Sequence, residues 1–181
     1  MLRKLLLTII LFLLLAACAS ATPAAAPTSA LIAIMDGTGR AVTLAAPAQR
    51  IVTLAPSNTE ILFAIGVGDR LIGRDDYSDY PAEALSVPSI GSLYPSVNAE
   101  AIVALKPDLV LAAGITSDAD VKALSALGLT VYKAHNATNL DDIYADILAL
   151  GQLTGRAAEA EQLVADSRAR ADAVTSKTSG A

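Results

Sequence analysis

Arg50-Ile51-Val52-Thr53-Leu54-Ala55-Pro56-Ser57-Asn58-Thr59-Glu60 is a short apolar run that breaks at a proline into a polar corner and then a helical pattern. The run 51–55 has the composition of a strand buried on both faces. Ser57 and Glu60 stand at the spacing of a capping box. Ile61, Leu62 and Ile65 then share one helical face until Gly66 and Gly68 end it. A buried strand feeding directly into an amphipathic helix is the building unit of α/β folds.

The same unit recurs on either side. Upstream, apolar runs at 31–35 and 41–44 flank the turn signal Asp36-Gly37-Thr38-Gly39 and predict a β-hairpin. Downstream, 71–73 reads as a short strand, and Asn98 stands where it can cap a helix that runs through Leu105 and stops before Pro107. A strand at 109–112 and a helix at 118–127, with Val121 and Leu124 inward and Gly128 as C-cap, come next. A strand at 130–134 precedes a helix from Asn139 with Ile143, Ile147 and Leu150 on its apolar face. The last element, 155–176, is a helix of about 30 Å at 1.5 Å per residue. Its apolar stripe is thin: Ala160, Leu163, Val164, Ala171 and Val174. This alternation predicts a mostly parallel sheet covered by helices, with ligands expected at the carboxyl ends of its strands. The segments 56–59, 74–80 and 113–117 leave three such ends.

Composition narrows the function. The chain has 181 residues, a formal net charge of −5, and one Cys and one His. An acidic chain offers little basic surface to neutralise phosphates, which argues against nucleic-acid binding. A single Cys excludes a disulfide framework and a four-cysteine zinc site. Residues 1–17 read as an export signal, with Arg3 and Lys4 ahead of an apolar run from 5 to 15 and small residues Ala16 and Ala17 behind it. That run is shorter than the ~20 residues a membrane span needs. Leu15-Ala16-Ala17-Cys18 resembles the lipobox of bacterial lipoproteins, which implies cleavage before Cys18 and acylation of its thiol. Cleavage there leaves a formal net charge of −7, because Arg3 and Lys4 depart. Residues 18–30, built of small residues and Pro after Cys18, have nothing to bury and read as a flexible tether.

Catalytic signatures fail one by one. The chain has no Gly-x-x-x-x-Gly-Lys-Ser/Thr loop, and Gly66-Val67-Gly68 follows a helix and lacks a third Gly because position 71 is Leu. There is no Gly-x-Ser-x-Gly elbow. His135 has no second His or free thiol to work with and reads as a polar loop residue after a strand. Asp75, Asp76 and Asp79 lack calcium-loop spacing and read as a solvated acidic loop. The expectation is a non-enzymatic protein with no cofactor and no resident metal.

Three ordered motifs then carry a resemblance. They are Arg50 to Glu60 as quoted, Tyr77-Ser78-Asp79-Tyr80-Pro81-Ala82-Glu83, and Ser89-Ile90-Gly91 followed by Asn98-Ala99-Glu100-Ala101-Ile102-Val103-Ala104-Leu105-Lys106-Pro107-Asp108-Leu109-Val110. This run resembles the periplasmic-binding family whose two lobes are joined by one long helix and which serves ABC importers of cobalamin, ferric siderophores and haem. The cobalamin branch is the nearest, chiefly through Tyr77-Ser78-Asp79-Tyr80-Pro81. The resemblance implies a Rossmann-like N-terminal lobe over 31–154 and an inter-lobe backbone helix over 155–181, with the second lobe absent and only half of a cleft present. It implies that Ser57 and Asn58 line the cleft floor and that Tyr77 lies against a large planar ligand. Cobalamin binders of this kind place a Trp near Leu93-Tyr94 and another near Ala113. This chain has no Trp, so Tyr94 stands in for the first, the second place is open, and haem or a ferric chelate stays alongside cobalamin as cargo. Glu100 matches the family's lobe-surface acid that docks against arginines of a membrane permease, and its place two residues before apolar Ile102 turns it outward. The expected function is a lipid-anchored, extracytoplasmic substrate-binding component of an ABC importer. The competing reading is an exported single-domain α/β lipoprotein acting as a sensor or assembly partner, and a neighbouring gene for a permease or ATPase separates the two.

Overall fold

The computed structural model describes residues 31–178. The export signal, Cys18 and the tether all lie outside the described residues. An antiparallel hairpin, β1 (Ile32–Met35) and β2 (Ala41–Leu44), opens the fold. Then come β3 (Ile51–Thr53), α1 (Pro56–Ala64), β4 (Leu71–Gly73), α2 (Ala99–Leu105), β5 (Leu109–Ala112), α3 (Asp118–Ala126), β6 (Val131–Lys133), α4 (Leu140–Thr154) and α5 (Ala157–Thr178). The four later strands form one parallel sheet in the order β4-β3-β5-β6.

Helices cover both faces of this sheet, and the period-2 alternation of each strand divides the core in two. Ile51, Leu109, Leu111 and Tyr132 face Leu62 and Ile65 near α1, Ile147 and Leu150 of α4, and the hairpin's Val42 and Leu44. Val52, Leu54, Val110 and Val131 face Ile102 of α2 and Val121 and Leu124 of α3. The parallel sheet and flanking helices expected from the strand–helix alternation are therefore present, as is the long last helix.

Several local expectations are corrected. Pro56 occupies the first helical turn and Ala55 is the N-cap, so α1 starts too early for Ser57 to cap it and no side chain does. The Ser57–Glu60 capping box does not form. On α4, Ile143 is 41% exposed and Tyr144 is buried instead. Ile147 and Leu150 are buried as expected, Tyr144 joins them in the same core cluster, and Arg168 of α5 lies over its ring, 4.3 Å from the centroid. The stripe on α5 buries Ala160 and Val164 but leaves Val174 exposed. By contrast, Asn98 caps α2 as its position predicts, accepting from Ala101 N–H at 3.0 Å.

The hairpin is fastened by Asp36. Its Oδ1 accepts from Thr38 N–H, Thr38 Oγ1 and Arg40 N–H, and its Oδ2 from the Arg40 guanidinium at 2.9 Å. Arg40 in turn reaches the Val131 carbonyl of β6 at 2.8 Å. Burial pushes the Asp36 carboxyl up, but the hydrogen bonds from Thr38 and Arg40 outweigh it and hold the group below the ordinary carboxylate range. A lowered native value gives stability that is complete above the unfolded value of about 3.9 and is lost as pH falls through the folded value. Asp36→Asn should therefore flatten the acid limb of the stability curve below about pH 3.9 and lower stability at neutral pH by about 2 kcal/mol. Urea unfolding followed by circular dichroism at several pH values checks this; an unchanged acid limb contradicts it.

Candidate functional site

The carboxyl ends of β3, β4 and β5 open onto one cleft of about 430 Å³. Leu54, Ala55 and Pro56 enter it from the β3–α1 corner, and Asp75 and Tyr77 from the segment after β4. Ala113, Ile115, Thr116, Ser117 and Asp120 come from the β5–α3 connection, and Ser92, Leu93, Tyr94 and Val97 from the loop before α2. All three segments singled out by strand order contribute residues to it.

Its rim is apolar and unprotected. Tyr77 is 68% exposed, Tyr94 87% and Ile115 86%. Single exposed apolar residues are ordinary; here three large ones stand around one concavity. Leu93 is half-buried against the core beneath.

Beneath the cleft, and not lining it, runs a file of buried hydroxyls. Thr53 Oγ1 and Thr59 Oγ1 lie 2.7 Å apart, Thr59 donates to Ser78 Oγ at 3.0 Å, and Ser78 donates to Asp75 Oδ1. Asp75 Oδ2 accepts from Tyr77 N–H at 3.2 Å. Thr59 Oγ1 also reaches the Ala55 carbonyl, at 3.3 Å, and Ser78 alone of the three hydroxyls meets the Asp75 carboxylate. β3, α1 and the Tyr77 segment are thereby tied together under the cleft. Asp75 is 1% exposed, which corrects the expectation of a solvated acidic loop. Asp76 and Asp79 are exposed.

The remaining expected residues divide. Ser57 is exposed but does not line the cleft. Asn58 is buried, and its amide nitrogen donates to the Ala112 carbonyl at 3.3 Å, so it ties α1 to the end of β5 and forms no part of the floor. Glu100 is exposed in the first turn of α2. His135 is more than a loop residue, since its main-chain N–H and Nδ1 both meet Asp146, at 3.0 and 2.7 Å. Tyr132 donates its hydroxyl to the same carboxylate at 2.7 Å, and burial followed by that bond drives the Tyr132 hydroxyl far above its ordinary value. This cluster braces the cleft wall from behind. A Cβ on Gly114 would collide with the His135 carbonyl, so only glycine fits where the β5–α3 connection crosses it.

Sequence reasoning missed Leu54, Ala55, Ser92, Val97 and Asp120 as lining residues, and it read Asp75, inside a segment it singled out, as solvated. Asp120 carried one usable signal, its place three residues after Ser117, and the two side chains do pair at 2.6 Å. Among the described residues no group of three or more His, Cys, Asp or Glu side chains could hold a metal ion. Among the same residues no helix is long and apolar enough to cross a membrane.

Comparison with known proteins fits this geometry. Residues 51–181 match the family model described as periplasmic binding protein, and the chain belongs to that family. It is 37% identical over 136 residues to the uncharacterized ABC transporter substrate-binding lipoprotein YvrC of Bacillus subtilis, covering 74% of this chain and 43% of that protein. It is 38% identical over 126 residues to a vitamin B12-binding protein of Vibrio cholerae, covering 68% of this chain and 45% of the relative. The crystal structure of the periplasmic vitamin B12 binding protein BtuF of Vibrio cholerae superposes with a TM-score of 0.66 at 34% identity, over 72% of this chain and 51% of that one. A periplasmic heme binding protein from Pseudomonas aeruginosa gives the same TM-score, 0.66, at 26% identity, over 74% and 49%. The chain thus spans about half the length of the relatives it matches.

The hydroxyl file generates a prediction. Ser78→Ala removes one of the two donors to Asp75 and the Ser78 partner of Thr59 and should destabilise the chain by about 2 kcal/mol. Ser57→Ala, at an exposed position, should change stability by less than about 0.5 kcal/mol. Urea denaturation midpoints distinguish them, and equal effects would contradict the file's role.

Proposed function

We propose that this chain is the cargo-binding component of an ABC importer that captures a bulky, largely planar chelate outside the cytoplasmic membrane. The observation that carries the reading is the exposed trio Tyr77, Tyr94 and Ile115 around a cleft with a fixed floor. Flat rings with a polar tip suit contact with a large macrocycle, each contributing about 0.5–1.5 kcal/mol beyond area burial. Nothing in the cleft performs covalent chemistry in this reading. Cargo is held noncovalently and released.

Cobalamin is the proposed cargo, supported by the vitamin B12-binding relative and by the Tyr77–Pro81 motif. Haem and ferric siderophores are the next candidates, since a heme binding protein shares the fold equally well. Acylation of Cys18 would hold the protein beside its transporter, because each buried CH2 of an acyl chain adds about 0.8 kcal/mol of membrane affinity. Glu100, exposed at the amino end of α2, would meet basic residues of the permease.

Equilibrium dialysis of the chain against cyanocobalamin, haemin and ferrioxamine B tests the proposal. One of them should be retained, and Tyr77→Ala or Tyr94→Ala should each weaken retention about three- to tenfold. Val174→Ala on the exposed end of α5 should not weaken it. Retention of none, or retention indifferent to both tyrosines, overturns the proposal.

A further inference from the structure

Lys133 and Arg74 are the buried bases among the described residues. Lys133 is paired with Asp118 at 2.6 Å, whereas Arg74 forms no ion pair among those residues. A buried charge is costly unless polar partners replace the water it loses. For Arg74 those partners are main-chain carbonyls. Its Nε donates to Ala84 at 3.0 Å and its Nη1 to Asp75 at 2.9 Å. The two carbonyls stand at opposite ends of the segment 75–84, which carries the exposed rings of Tyr77 and Tyr80. The Arg74 main chain is fixed as well: its N–H donates to the Pro88 carbonyl at 3.1 Å, and its carbonyl accepts from Ile90 N–H at 2.8 Å. One guanidinium therefore staples both ends of the segment to the end of β4.

We infer that Arg74 is a positioning residue: by closing 75–84 at both ends it sets where Tyr77 stands on the rim, and so the affinity for cargo, without touching cargo itself. The inference rests on the proposed binding function and deepens it. Asp75 and Tyr77 line the cleft, and Arg74 does not. Tyr77 N–H meets the Asp75 carboxylate at 3.2 Å, so the ring follows the end of the segment that Arg74 holds. At the far end, Ala84 N–H donates to the Pro81 carbonyl at 2.8 Å in a tight turn. Bringing the ends of a loop together costs chain entropy, and a loop already closed has less to lose when cargo arrives. A lysine does not serve here. Its ammonium is a point charge on a flexible stem, whereas guanidinium presents its donors in a rigid planar fork that reaches two acceptors at once.

The test compares the unaltered chain with Arg74→Lys, which keeps the charge and removes the fork. The first readout needs no cargo. By NMR hydrogen exchange, the Tyr77 and Ala84 amides should exchange about tenfold faster in Arg74→Lys, the effect of losing one hydrogen bond to a charged group. The Val110 amide inside the sheet should change far less. Equal acceleration of all three, or of none, overturns the inference, because Arg74 would then support the whole fold or nothing. The second readout is a double-mutant cycle on whichever of cyanocobalamin, haemin and ferrioxamine B the chain retains. Arg74→Lys should weaken retention about threefold, near the cost of ordering one side chain, in the unaltered chain and in Tyr94→Ala. In Tyr77→Ala it should weaken retention no further, since the ring it positions is gone. A loss that persists in Tyr77→Ala overturns the inference while leaving the binding function standing. Retention of no chelate overturns the binding function, and the inference falls with it. Should Arg74→Lys not fold, Arg74→Gln takes its place, and exchange in the unaltered chain still decides: unprotected Tyr77 and Ala84 amides there contradict a stapled segment.

Discussion

Three buried hydroxyls contributed by three segments run beneath the cleft and end on one carboxylate. Thr53 closes β3, Thr59 lies in α1, and Ser78 and Asp75 belong to the segment after β4. The hydroxyls link in turn, and the last donates to the Asp75 carboxylate. Such chains polarise one another in a low-dielectric interior, and a gap anywhere leaves a buried polar group unsatisfied. The β3–α1 corner and the Tyr77 segment can therefore hardly move independently. Rigidity of the floor follows from hydrogen-bond bookkeeping and needs no ligand.

The rim obeys the opposite logic. Folding gains from burying apolar area, yet Tyr77, Tyr94 and Ile115 stay in water. They sit on segments pinned from below: Tyr77 through its N–H to Asp75, and Ile115 through the glycine that passes close to His135. Apolar surface held open on a fixed base is pre-organised for a partner, because less ordering entropy is lost when one arrives. Tyr132, His135 and Asp146 extend the same principle to the back of the wall, where one carboxylate collects three donors from β6 and the residues after it.

Much of this was legible in the sequence, and what was not has a common cause. The sheet strands were readable because a strand covered on both faces is apolar at nearly every position, as 51–55 and 109–112 are. The cleft-lining segments followed from topology alone, since the carboxyl ends of parallel strands lie together. The failures depend on distant partners. Asp75 looks like any acid among acids until Ser78 and Thr59 arrive to bury it. Asn58 looks like an exposed corner residue until the end of β5 supplies a carbonyl. Tyr144 takes the core place expected of Ile143 within the cluster that includes Ala160 and Val164 of another helix. The Ser57–Glu60 pair failed for a local reason: Pro56 takes the first helical turn by itself.

The central claim is that cargo rests between the exposed aromatic rim and the hydroxyl-braced floor. Two-dimensional amide NMR of the uniformly 15N-labelled chain, titrated with diamagnetic cyanocobalamin, tests it most directly. The account predicts shifts confined to the amides of 54–57, 75–80, 92–97 and 113–120, with α5 silent. Shifts scattered over α5 or the hairpin, with those four stretches unmoved, would contradict it.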